Sequence, residues 1–240
     1  MTVQLFALSF DANDPLRLAR FWSGALGWEM SSDANDGIAL LPNDGTGFRF
    51  RFLPTQERKT GLNQMHFHLT STSLEDQQQT VERLAGLGAR HLDLGQRPEE
   101  GHIVLADPEG NELCVIGPGN KFLAGCGFFA EVACEGSQET GYFWKEALGW
   151  PLNWDQDQET SIRSPHGGPK ISWGGPPLTP KTGKYRLHFD LAPPADGDQQ
   201  AEVERLLSLG AARTDIGQGE VSWVVMTDPD GHEFCVLTPR

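Results

Sequence analysis

The strongest constraint on this chain is that much of it is written twice. Phe21-Trp22-Ser23-Gly24-Ala25-Leu26-Gly27-Trp28 returns as Phe143-Trp144-Lys145-Glu146-Ala147-Leu148-Gly149-Trp150, six of eight residues identical at an offset of 122. His66-Phe67-His68-Leu69 returns as His188-Phe189-Asp190-Leu191, and Arg83-Leu84-Ala85 as Arg205-Leu206-Leu207, at the same offset. Asp107-Pro108-Glu109-Gly110-Asn111-Glu112-Leu113-Cys114 matches Asp228-Pro229-Asp230-Gly231-His232-Glu233-Phe234-Cys235 at 121. Collinear matches at so long a period denote two duplicated halves, not a stacked solenoid. The boundaries read as residues 1–118 and 122–240, joined near Gly117-Pro118-Gly119-Asn120.

Within a half, short β-like runs alternate with two helices. Leu5 to Phe10 predicts a strand. Asp14 then caps a helix with Pro15 in its first turn, and Gly27 ends it. Strand-like pieces follow at 38–41, 48–53 and 65–69. A second helix starts at Ser73, with Asp76 in capping-box position, and stops at Gly88. Residues 103–106 and 113–116 flank Asp107-Pro108-Glu109-Gly110, whose Asp, Pro and Gly suit a type I turn and hence a hairpin. Each half therefore reads as two βαβββ modules, and the chain as four.

Charge narrows the partners. With 19 basic and 33 acidic residues the formal charge is −14, which repels a phosphate backbone and disfavours nucleic acid. No stretch approaches the roughly 20 apolar residues of a membrane helix. The start, Met1-Thr2-Val3-Gln4, carries no basic or hydrophobic leader region, and the four cysteines are too scattered for a disulfide framework. The expectation is a cytoplasmic protein with reduced thiols, acting on a small molecule.

The quoted motifs, above all Phe21-Trp22…Leu26-Gly27-Trp28, the strand at His66 and Asp107-Pro108-Glu109-Gly110-Asn111-Glu112, resemble the vicinal oxygen chelate superfamily of glyoxalase I, extradiol dioxygenases and bleomycin-resistance proteins. The resemblance spans nearly the whole chain and looks closest to its glyoxalase-like branch. It implies an α+β fold in which each half makes a strongly curved mixed sheet around a cavity. It also implies an internal pseudo-dimer, monomeric or weakly homodimeric, because relatives of half this length pair. Enzymatic members hold a divalent metal (Zn, Ni, Fe or Mn) between His and Glu on cavity-lining strands.

Here His66 and His188 keep the expected position on the fifth strand. The first-strand ligand is expected within Leu5-Phe6-Ala7-Leu8 and Gly127-Phe128-Phe129-Ala130, which offer none, and the last-strand Glu is replaced by Cys114 and Cys235. Residues two apart share a strand face. Shifted ligand sets are therefore conceivable: His66, His68 and Glu112, or His188, Asp190 and Glu233. The same histidines read equally as satisfied residues of the sheet, or as metal-free acid/base groups. Cys114 and Cys235 read as buried small side chains or as nucleophiles. Trp173 and Trp223 have no tryptophan at the repeat position, so they are candidate walls of a pocket for a planar or apolar ligand.

Two functions follow. One is a binding protein for a neutral or cationic aromatic or apolar molecule, lined by His66, His188, Cys114, Cys235, Trp173 and Trp223. The other is a metal-dependent lyase or dioxygenase using a shifted His/Glu set.

Overall fold

A computed structural model describes residues 3–33, 37–181 and 183–240. The first module is β1 (Gln4–Ala12), α1 (Pro15–Leu26), β2 (Glu29–Asp33), β3 (Gly37–Leu41) and β4 (Arg49–Pro54). The second is β5 (Met65–Thr70), α2 (Leu74–Gly86), β6 (Arg90–His91), β7 (His102–Ala106) and β8 (Glu112–Ile116). The third is β9 (Phe129–Cys134), α3 (Gln138–Leu148), β10 (Leu152–Gln156), β11 (Glu159–Arg163) and β12 (Lys170–Trp173). The fourth is β13 (Leu187–Ala192), α4 (Gln199–Ser208), β14 (Ala212–Arg213), β15 (Val224–Thr227) and β16 (Glu233–Val236).

Local chemistry sets the element ends as the residues predict. The Asp14 side chain accepts from the Arg17 amide, and Gly27 closes α1 at φ 71°, a left-handed angle costly for side chains with a Cβ. Ser73 caps α2 by accepting from the Asp76 amide, while Asp76 reaches back to Thr72, one residue beyond the capping-box partner. The Gly110 amide donates to Asp107 O at 2.9 Å and turns the β7–β8 hairpin.

The strands form two mixed eight-stranded sheets, ordered β14-β15-β16-β13-β1-β4-β3-β2 and β10-β11-β12-β9-β5-β8-β7-β6. Each sheet joins a module from one half to a module from the other, a correction to the expectation of one sheet per half. The joints are antiparallel pairings of β1 with β13 and of β5 with β9. The physical reason lies in the apolar faces. Modules of one half meet face to face across the core, with the Phe10 and Phe67 rings 5.5 Å apart and those of Trp22 and Phe67 5.2 Å apart. Their edges are then left to pair with the other half.

The repeated Phe-Trp motif is the rivet of this arrangement. Trp22 is fully buried and its indole N–H donates to Asp107 at 3.1 Å; Trp144 does the same to Asp228 at 3.2 Å. Each bond ties the first helix of a half to the last turn of that half. Burial pushes the Asp107 carboxyl up to about 6, against the bonds it receives from Asn111, Glu109 and Trp22.

Candidate binding site

Strand parity decides which side chains leave the core. Phe10, Phe50, Phe189 and Phe234 face the aromatic core, so their neighbours Ser9, Arg51, His188, Asp190 and Cys235 fall on the opposite, concave face. In the second sheet the same parity exposes Glu131, Ser172, His66, His68 and Cys114. The two sets correspond through the repeat: Ser9 stands where Glu131 does (131 − 9 = 122), and Arg51, paired with Ser9, stands where Lys170, paired with Glu131, does.

In the first sheet, Asp190 is the hub. Ser9 Oγ donates to its Oδ2 at 2.6 Å, Arg51 Nη1 donates to the same oxygen at 2.6 Å, and His188 Nε2 stands 3.5 Å from Oδ1. Donor atoms of His188, Asp190 and Cys235 lie within 4.8 Å of one another. Burial raises the Asp190 carboxyl, but His188, Arg51 and Ser9 together hold it below the ordinary carboxylate range. Burial also opposes charge on His188, yet the Cys235 sulfur and the Asp190 carboxylate overcome that and push it up to about 10. Two buried polar atoms here have no hydrogen-bond partner, His188 Nδ1 and Glu233 Oε2.

Above this face opens a cavity of about 720 Å³. Its apolar wall includes Ile216, Trp223, Val225 and Leu237, with Trp223 39% exposed. Its charged groups are largely paired among neighbours: Arg51 with Asp190, Lys184 Nζ with Asp11 at 2.5 Å, and Glu233 with Lys181 at 2.5 Å.

The second concave face is built alike and closed over. His68 Nδ1 lies 2.5 Å from Glu131 Oε2, and Ser172 Oγ donates to the other oxygen of Glu131. Burial disfavours charge on His68, but Cys114 and Glu131 raise it to about 9. Burial, then His68, lowers His66 to about 4 and keeps it neutral. Donor atoms of His66, His68 and Cys114 lie within 4.8 Å of one another. The segment joining the halves lies over this face. Leu123, 3% exposed, packs with Val104, Cys114, Ile116 and Ala130, and Phe122 joins that cluster. Lys170 Nζ sits 3.9 Å from the Phe122 ring centroid and donates to Phe122 O, while Trp154 meets the same ring edge-on at 5.6 Å.

The structure thus brings His66, His68 and Cys114 together, and likewise His188, Asp190 and Cys235. It turns Glu112 toward Lys59 Nζ at 2.5 Å and the Asn63 amide at 3.1 Å, and Glu233 toward Lys181, leaving cysteine as the third member of each cluster. Trp223 lines the cavity. Trp173 does not: it is 1% exposed and stacks on Trp144 in the core, centroids 6.5 Å apart at 10°. The first-strand position lies further along than expected, at Ser9 and Glu131. Sequence reading missed both of these, and Arg51. The available signal was a polar residue inside an apolar strand, Leu8-Ser9-Phe10 and Ala130-Glu131-Val132, where burial demands a partner.

A sequence profile of the glyoxalase-like domain matches residues 7–116 and again 129–237. Among solved structures, glyoxalase I from Zea mays superposes with a TM-score of 0.65 at 12% identity, covering 99% of this chain and 92% of that one. A putative dioxygenase from Bacillus subtilis superposes with a TM-score of 0.61 at 15% identity, covering 99% and 85%. At these identities the likeness is one of fold. Comparison with curated protein sequences finds no match. No helix among the described residues is long and apolar enough to cross a membrane. With the profile matched once in each half, over most of its length, the chain belongs to the glyoxalase-like domain family as a tandem of two such domains.

Proposed function

We propose that the chain binds a small, neutral or cationic, largely planar molecule in the cavity over the first sheet. The observation that carries this reading is Arg51, whose guanidinium occupies the polar centre of that concave face and is bound to Asp190. Members of the family often use a divalent metal. A divalent ion beside Asp190 would face that guanidinium at roughly 4 Å, a repulsion of about 8 kcal/mol at an effective dielectric of 20. It would also compete with Ser9 and Arg51 for the same carboxylate oxygen. Asp190, His188 and Cys235 therefore do not fit a metal, and no step is routed through one there.

What remains is recognition. Trp223 offers a π-face, Ile216 and Val225 an apolar floor, and the paired wall charges leave little net field for a strongly anionic ligand. His188 Nδ1 and Glu233 Oε2, on residues that line the cavity, are buried without hydrogen-bond partners. Tryptophan fluorescence titrated with planar aromatic compounds tests this. Saturable quenching that disappears in Trp223→Leu is expected. No response from any compound class would overturn the reading.

A second reading is favoured by one feature of the second sheet. His66 is held neutral, and Glu131 fixes the ring of His68, the arrangement by which a carboxylate orients a ligating imidazole. His66, His68 and Cys114 suit a thiophilic divalent ion such as zinc, which would supply Lewis acidity when bound. On this reading the chain is a metal-dependent lyase or dioxygenase, with Phe122 and Leu123 moved aside to admit substrate. Elemental analysis of untagged protein separates the two. Stoichiometric metal lost on His66→Ala supports the metal reading, whereas metal lost on His188→Ala contradicts the binding reading.

A further inference from the structure

The four cysteines are free thiols in four different settings. Cys134 is buried in the core, where desolvation pushes its thiol well above the ordinary value. Cys114 lies beneath Leu123, and Cys126 is half-buried in the segment joining the halves. Cys235 alone of the four lines the 720 Å³ cavity, in the same cluster as an imidazole and a carboxylate.

Charge around the Cys235 sulfur is balanced within the cluster. The Asp190 carboxylate by itself would oppose a second negative charge nearby, but Arg51 is bonded to it at 2.6 Å and cancels it. His188, held as the imidazolium by the Cys235 sulfur and the Asp190 carboxylate, stands beside Sγ to stabilise the charge sulfur carries as it attacks, with Asp190 3.5 Å from Nε2. An imidazolium beside a thiol, itself oriented by a third group, is an arrangement by which sulfur is made nucleophilic. Independently, His188 Nδ1 and Glu233 Oε2 are buried without hydrogen-bond partners, each on a residue 5% or less exposed that also lines the cavity. Trp223 flanks the same space with a flat apolar face. A soft, planar electrophile fits the sulfur and the flat apolar wall, and its carbonyl oxygen can accept from the imidazolium.

We infer that Cys235 is a covalent capture site for α,β-unsaturated carbonyl compounds held in the cavity. Sγ forms a bond to the β-carbon as the carbon–carbon double bond breaks and its electron pair moves toward the carbonyl oxygen. The His188 imidazolium gives its proton to the α-carbon, and the proton displaced from sulfur replaces it. The net change is addition of S–H across the double bond, with no oxidant, reductant or further reactant. Asp190 acts as a positioning residue for the imidazole. The inference rests on the cavity being the ligand site proposed above.

The test uses the full chain with cinnamaldehyde as a planar enal and 3-phenylpropanal as its saturated analogue. Adduct formation is followed by intact mass and located by peptide mapping. Modification of Cys235 at least about tenfold faster than of the more exposed Cys126 is expected, since activation and not access sets the rate. In His188→Gln the Cys235 rate falls at least about tenfold while the Cys126 rate holds, an internal control for folding. The wild-type comparison stands even if that variant is unstable. Adducts confined to Cys126, or equal rates at both thiols, overturn the inference. Binding of 3-phenylpropanal by fluorescence separates the two proposals: if it binds and Cys235 stays unmodified, capture alone fails, and if neither occurs, both fail.

Discussion

Arg51→Met removes one side of the buried pair at the centre of the first sheet while preserving the length of the side chain. Arg51 and Asp190 side chains are 10% and 2% exposed, so solvent screens neither. Breaking a buried pair by deleting one partner costs about 3–5 kcal/mol, because the other charge is left desolvated. Asp190 keeps the Ser9 hydroxyl and has His188 nearby, which places the loss near the lower end, about 3 kcal/mol. For a chain of this size each kcal/mol moves the midpoint by about 2–4 °C, so the melting temperature falls by about 9 °C. Replacing both members, Arg51→Met with Asp190→Leu, removes the stranded charge and recovers at least half of that loss. Calorimetry and urea unfolding of wild type, the two single variants and the double variant measure the cycle. A single variant within about 0.5 kcal/mol of wild type would refute the reasoning, as would a double variant carrying the sum of two separate losses.

The second sheet carries a pH signature. His68 is raised to about 9 from 6.5, so its contribution is complete below pH 6.5 and drains away as pH rises through 9. The stability difference between wild type and His68→Gln should therefore narrow between pH 6 and pH 10, by as much as about 3 kcal/mol, in urea titrations across that range. Leu123→Ala opens the cover of the second face, costing about 2–4 kcal/mol and making Cys114 reactive to a disulfide reagent; a silent Cys114 would count against that cover. Two glycines should respond oppositely to Ala in thermal melts. At Gly141 a Cβ would meet Thr160 Oγ1 at 1.9 Å, so overpacking of about 1–3 kcal/mol exceeds the helix-propensity gain and the melting temperature falls. At Gly24 the nearest atom is Cδ2 of the exposed Leu87 at 2.9 Å, which can swing away, so the gain of about 1 kcal/mol survives and the melting temperature rises.

Much of the fold was legible because its signals are local. Asp14, Ser73 and Gly27 mark helix ends by their own hydrogen bonds and backbone angle, and Asp107 to Gly110 mark a turn by composition. Sheet membership was not legible, because it depends on edges that meet across the chain and leave no trace in either strand alone. The cluster was half visible: His66 and His188, with Cys114 and Cys235, recur at the repeat spacing. Ser9 and Glu131 occupy equivalent places with different side chains, as do Arg51 and Lys170, so a search for identity passes over them. Trp173 misled because a tryptophan unique to one half signals divergence without saying whether core or cavity diverged. Nor does any motif announce that residues 121–126 fill one concave face.

The exchange of modules between halves gives the protein a calendar. The second sheet joins at Met65 and Cys134, and its strands are all present once Trp173 has been made. The first sheet joins Gln4 to Ala192, 188 residues later, so the edge of β1 waits unpaired through most of synthesis. An unpaired edge invites pairing with other chains, and long-range closure is slow. All strands of the second sheet are thus available for pairing before those of the first are. Cleavage at the joint between the halves would yield two fragments, each holding one module of each sheet, that regain the fold only together.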